Sequence, residues 1–150
     1  VGALAETWLA EGRIDERIAV AAWLLDIGFG PLVRDTGFHP LDGATFLDAV
    51  RAPSAVVSLV AYHAGAQAEA EERGLTLELA RFRQPPPADL DAVTLLDLSV
   101  GPSGQRLDPE SRIAEILLRY DPESVVRRAV ARSRDDLLAS ARRARRRLGL

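Results

Sequence analysis

Recurring helix punctuation constrains this chain more than any other feature. An acid or a small residue repeatedly precedes Pro: Ala52-Pro53-Ser54, Asp108-Pro109-Glu110 and Asp121-Pro122-Glu123, with His39-Pro40 reading the same way. Proline suits the first helical position because its missing N–H has no intrahelical acceptor there and its φ is already helical. Gly12, Gly28, Gly74 and Gly101 stand where the intervening helices should stop, as glycine does at C′. The spacing predicts helices over residues 1–11, 14–27, 40–50, 53–73, 87–100, 109–119 and 122–147, the last open to a break near Ser133 or Arg134. Gly74–Phe82 alternates weakly and reads as a loop, since a lone strand is marginal. Pro85-Pro86-Pro87 is a stiff connector with too little chain on either side to mark a domain boundary. There is no internal repeat. The expected fold is all-α: one helical domain over residues 1–150 with about six or seven helices and short links.

At 150 residues and 47% hydrophobic, the chain can bury a real core. Its 27% charged residues argue against a disordered or low-complexity chain. No apolar run approaches the ~20 residues of a membrane span, and no secretion leader is visible, so the cytoplasm is the expected location. With no cysteine, disulfides and thiolate metal sites are excluded. The chain has no Met and begins at Val1, so the natural beginning is expected upstream, the other reading being a Val written for an alternative start codon. All 19 basic residues are Arg, a bias that looks like genomic composition. Nine of them, against four acids, lie in residues 121–150, while the rest of the chain holds ten against eighteen.

Polar residues on apolar faces are the informative exceptions. Asp26 ends the run IAVAAWLLDIG, where apolar surroundings and the negative end of a helix dipole both disfavour a carboxylate. Asp97 shares a helical stripe with Leu90, Val93 and Thr94. His63 falls on the stripe of Val56, Leu59 and Val60, and His39 on that of Gly43, Phe46 and Val50, expected to face the core. Taken singly, each is more often a hydrogen-bonded core residue or an Arg partner than a ligand. Together they form a set of oxygen and imidazole groups suited to Mn, Fe or Zn.

In order along the chain, AAWLLDIGFG at Ala21–Gly30, TGFHPLDGA at Thr36–Ala44, VAYHAG at Val60–Gly65 and then Asp97 resemble the HD-domain metal-dependent phosphohydrolase superfamily. The layout is similar to the HD-GYP branch and its small bacterial relatives. The resemblance implies an HD-type helical domain in which histidines and aspartates hold one or two metals that activate water for attack on phosphorus. It makes Asp26 the acid of the His-Asp pair, His39 and His63 the following ligands, and Asp97 the late acid, with Asp26 and Asp97 catalytic. Two positions depart from the pattern. Leu25 stands where the pair has its His, and the first-helix His has no match because the chain begins near that point, so part of the first helix is expected to be missing.

The resemblance keeps Asp26, His39, His63 and Asp97 as metal ligands, which implies a single divalent ion and weakened hydrolysis of a small phosphate ester or nucleotide. The alternative is a module that keeps the helical domain for binding or regulation without catalysis. Arg34, in the loop after Asp26, is close enough in sequence to meet a phosphate, or is a solvated loop charge. Tyr62 takes the place of a His common in the two-metal branch and offers a hydroxyl, or simply packs. The Arg-rich end lacks interleaved aromatics and the whole chain is net negative at −3, so nucleic acid is not the expected partner. No membrane partner is expected either.

Overall fold

Three helices carry side-chain N-caps, from Asp15, Asp108 and Ser124. In a computed structural model covering residues 1–150, α1 spans Gly2–Ala10 and α2 spans Glu16–Leu24, with the Asp15 carboxylate accepting from the Ile18 amide. One turn of 3-10 helix at Ile27–Phe29 follows. Then come α3 (His39–Ala49), α4 (Ser54–Tyr62), a second 3-10 turn at His63–Gly65, α5 (Ala66–Arg73) and the four-residue α6 (Thr76–Leu79). The chain ends with α7 (Pro87–Leu98), α8 (Pro109–Arg119) and α9 (Val125–Leu148). The only β feature is an isolated bridge between Val100 and Arg106. The fold is all-helical, with eight helices of eight residues or more plus the short α6, slightly above the expected number.

Four local expectations are corrected. The helix expected over 53–73 breaks at His63, which is extended (φ −60°, ψ 153°), and Ala64 and Gly65 then take positive φ of 42° and 81°. An i→i−4 ladder cannot run through those angles. Gly28 is not a left-handed helix stop. It sits inside the first 3-10 turn because a Cβ there would lie 2.0 Å from the His39 carbonyl oxygen. The last helix starts at Val125 rather than 122, since Ser124 supplies the cap to the Arg127 amide, and it runs unbroken past Ser133. Within Gly74–Phe82, residues 76–79 form α6 rather than a loop.

One apolar cluster of 32 buried residues draws on all nine helices. α9 lies along α7 and α5, α3 packs on α4, and α2 bridges α1, α4 and α7. The basic last helix is tied down by its own arginines. Arg128 reaches Glu72 at 2.9 Å, Arg132 reaches Glu71 at 2.8 Å, and Arg143 donates twice to Asp91 at 2.6 and 2.9 Å. No helix is long and apolar enough to cross a membrane.

Candidate metal centre

The break after α4 builds the centre. Extended backbone at His63 turns the chain so that Nδ1 donates to the Val60 carbonyl at 2.7 Å. A carbonyl only accepts, so Nδ1 carries a proton, and in the neutral imidazole the lone pair is then on Nε2. Ala64, next along, sits in the left-handed region at a cost of roughly 1–2 kcal/mol. Strain of this kind persists where the surroundings over-determine it, often at working sites. Gly65 completes the turn, and a Cβ there would press on Ser133 of α9 at 3.3 Å.

From the other side, the first 3-10 turn docks on the start of α3. Gly28 and Gly43 permit the approach, since a Cβ on Gly43 would come within 3.1–3.3 Å of Ile27, Val60 and the Gly28 amide. The turn carries Asp26 and Phe29, and Phe29 stacks on the His39 ring at 4.1 Å. The preceding loop is held by Asp42, which is 3% exposed. Its carboxylate accepts from the amides of Asp35, Thr36 and Gly37 at 3.0 Å and from the Thr36 hydroxyl at 2.6 Å. Burial pushes this carboxyl's pKa up, but those bonds outweigh it and hold it below the ordinary range.

Asp26, His39 and His63 thereby present one ligand atom each, all within 4.8 Å of one another. His39 Nε2 lies 3.1 Å from His63 Nε2 and 3.9 Å from Asp26 Oδ1. Without an ion, a proton on His39 Nε2 makes the first contact a hydrogen bond. The same separation suits two imidazoles sharing one ion, each at ~2.0–2.1 Å. Burial, His63 and Arg73 push the pKa of His39 down to about 2, so its imidazole is neutral and available as a ligand. The donor set fits a divalent cation: two imidazole nitrogens and one carboxylate.

The residues named from the sequence do not all converge. Asp26 is 68% exposed rather than set among apolar groups, so a cation is not needed to offset its burial. Its place at the mouth follows from the end of α2 at Leu24. Leu25 is 1% exposed in the apolar core and does not line the cleft. The stripe expected to bury His39 is also different. Phe46 and Val50 of α3 are exposed, and Leu41, Ala44 and Leu47 face the core instead.

Asp97 lines the same cleft, about 450 Å³ in volume, but stands outside the three-ligand group. Burial, with the Asp26 charge, raises its pKa, while His63 and Arg112 oppose the rise. Arg34 is exposed and does not line the cleft. Tyr62 faces away, its hydroxyl donating to the carbonyls of Leu79 and Phe82 at 3.2 and 3.1 Å, so it anchors the segment around α6.

Sequence reasoning gave Gly28 a different role and did not single out Gly65, Asp42 or Arg112. Glycine inside a short quoted motif was a usable signal for the first two. Arg112, on the amphipathic α8, carried none.

These features define an all-helical protein with a His/His/Asp group able to hold a metal ion. No family model, curated protein or solved structure matches the chain.

Proposed function

We propose that this chain is an HD-domain-like metal-dependent phosphohydrolase of reduced, single-metal activity toward a small phosphate ester or nucleotide. The observation that carries the reading is the convergence of Asp26, His39 and His63 from three separate segments. A divalent ion of Mn, Fe or Zn held there supplies Lewis acidity and a lowered pKa for water.

The chain's own residues do the rest. His63, locked through Nδ1 to Val60, keeps Nε2 aimed at the centre. Phe29 covers one face of His39 and excludes water from it. Asp26 brings negative charge at the mouth, where a nucleophile enters. Asp97, lining the same cleft on α7 beside the His63 turn, accepts a hydrogen bond that orients that nucleophile. A second ion to clamp attacking and leaving oxygens has no further His to hold it, so turnover is slow.

The core position of Leu25 favours a second reading. There it supplies apolar volume where the resemblance calls for an imidazole, as in a module that binds a ligand without hydrolysing it. The test is hydrolysis of generic phosphoesters by the Mn-loaded protein. The first reading expects slow turnover that a chelator and Asp26→Ala both abolish. Metal binding with no turnover would establish the second.

A further inference from the structure

Helix α8 lines the same cleft as the metal group and contributes Arg112 and Arg119 to its wall, two turns apart on one helix face. Glu115 lies between them and grips both, taking Arg112 Nη1 and, at 2.9 Å, Arg119 Nε. One carboxylate thus serves two guanidiniums and leaves one positive charge over on α8, in a cleft that Asp26, Glu69 and Asp97 also line. Arg119 is also held over the Tyr120 ring, 4.8 Å from its centroid. Arg112 differs. Its side chain is only 14% exposed, and its Nε–H is buried with no hydrogen-bond acceptor in the protein. It is the only buried side-chain nitrogen or oxygen so placed.

Buried polar groups are nearly always satisfied, and one that is not calls for an explanation. The edge of the guanidinium left over by Glu115 is the Nε–Nη2 side, which offers two parallel donors matched to two oxygens of a tetrahedral oxyanion. Arg112 lies near enough to Asp97 to favour its charged form, yet no hydrogen bond joins the two. The cleft volume of about 450 Å³ falls within the range of small-molecule sites.

We infer that Arg112 anchors the phosphoryl group of a phosphomonoester in this cleft: its guanidinium, whose Nε is closed to solvent in the free protein, turns to set the Nε–Nη2 edge on two phosphoryl oxygens while the remaining oxygen faces the Asp26/His39/His63 group. This rests on the cleft being the ligand site of the proposed function. It replaces the exposed Arg34 as the phosphate contact and makes the ligand class a terminal monoester. A diester lacks the third free oxygen needed to reach both sides at once.

The test uses the whole chain, metal-free, titrated with methylphosphonate as a non-hydrolysable monoester analogue. Binding is read by calorimetry and by the 15N-edited signal of the Arg112 Nε–H. That signal is expected to shift on titration. Arg112→Gln is expected to weaken binding at least ~10-fold, and Arg112→Lys less, because charge survives while the fork is lost. Mn affinity should stay within about twofold in both variants, since neither touches the His/His/Asp group. Unchanged affinity in Arg112→Gln, or a wild-type Nε–H signal that does not move at saturation, would overturn the inference. The wild-type signal decides the matter even if a variant fails to fold. Arg112-dependent methylphosphonate binding in a protein that binds no Mn would sink the metal reading and leave this one standing. Mn binding with no response at Arg112 would do the reverse.

Discussion

Two polar clusters in this molecule have opposite logic. Between α7 and α9, Asp91 is an acceptor met by donors: the Ser140 hydroxyl at 2.6 Å and the Arg143 guanidinium at 2.6 and 2.9 Å. Every strong group there is answered from within the chain. At the end of α4, Asp26, His39 and His63 bring three acceptor atoms toward one point. The protein supplies at most one proton among them, and no cationic side chain donates into the group. Saturation marks a cluster that holds helices together. Convergence of like groups marks one that waits for something from outside. Burial alone does not separate the two, because both contain side chains under 9% exposed.

The sharpest way to break this contrast is to change one member of each cluster and read both metal affinity and stability. Asp26→Asn removes an exposed carboxylate, so unfolding free energy without metal should move by less than about 0.5 kcal/mol. Mn or Zn affinity, by calorimetry, should fall at least ~100-fold, beyond the usual cost of losing a mere supporting contact. A fall in stability with no change in metal affinity would make the convergent cluster structural after all.

Asp91→Ala should do the opposite. It strands Ser140 and Arg143, and denaturant unfolding should show a loss of about 1–3 kcal/mol, moderated because Arg143 is half exposed. Metal affinity should not change.

The smallest effect is in pH. At Asp91 burial raises the pKa, but the bonds from Arg143 and Ser140 outweigh it, so the folded value lies below the ordinary one. A depressed carboxyl contributes stability that is complete above its unfolded pKa of about 3.9. That contribution disappears as pH falls through the folded pKa. Acid unfolding below about pH 4 should therefore be shallower in Asp91→Asn, by less than about 1 kcal/mol. An identical acid profile would mean that the cluster adds nothing through its charge.

Helix starts were legible because their chemistry is local. Asp108 caps α8 as its spacing indicates, and Pro40, Pro87 and Pro109 stand in first turns, whereas the Asp15 cap of α2 falls inside the range expected for that helix. The break at His63 was harder to read. VAYHAG has helical periodicity, and only Gly65, followed by the Ala-rich start of α5, hinted at it. His63 was read as inward and is 3% exposed, but α4 ends at Tyr62, so the extended backbone and the bond to the Val60 carbonyl aim it rather than the stripe of Val56, Leu59 and Val60. Asp26 was misjudged because α2 ends two residues before it, so its direction is set by a turn rather than by the helix.

Sequence by itself determined the helical class, most helix starts, and the small set of imidazoles and carboxylates available for chemistry. These depend on neighbours within a few positions, where capping bonds and periodicity act. Only the tertiary structure decided which of them meet. The 3.1 Å approach of His39 to His63 depends on a broken helix, on two glycines thin enough to let a turn dock, and on Asp42 organising a loop. The isolation of Arg112 Nε depends on Glu115 taking the other end of its guanidinium. Contacts between residues far apart in the chain are set by how packed surfaces fit, and no local pattern carries that information.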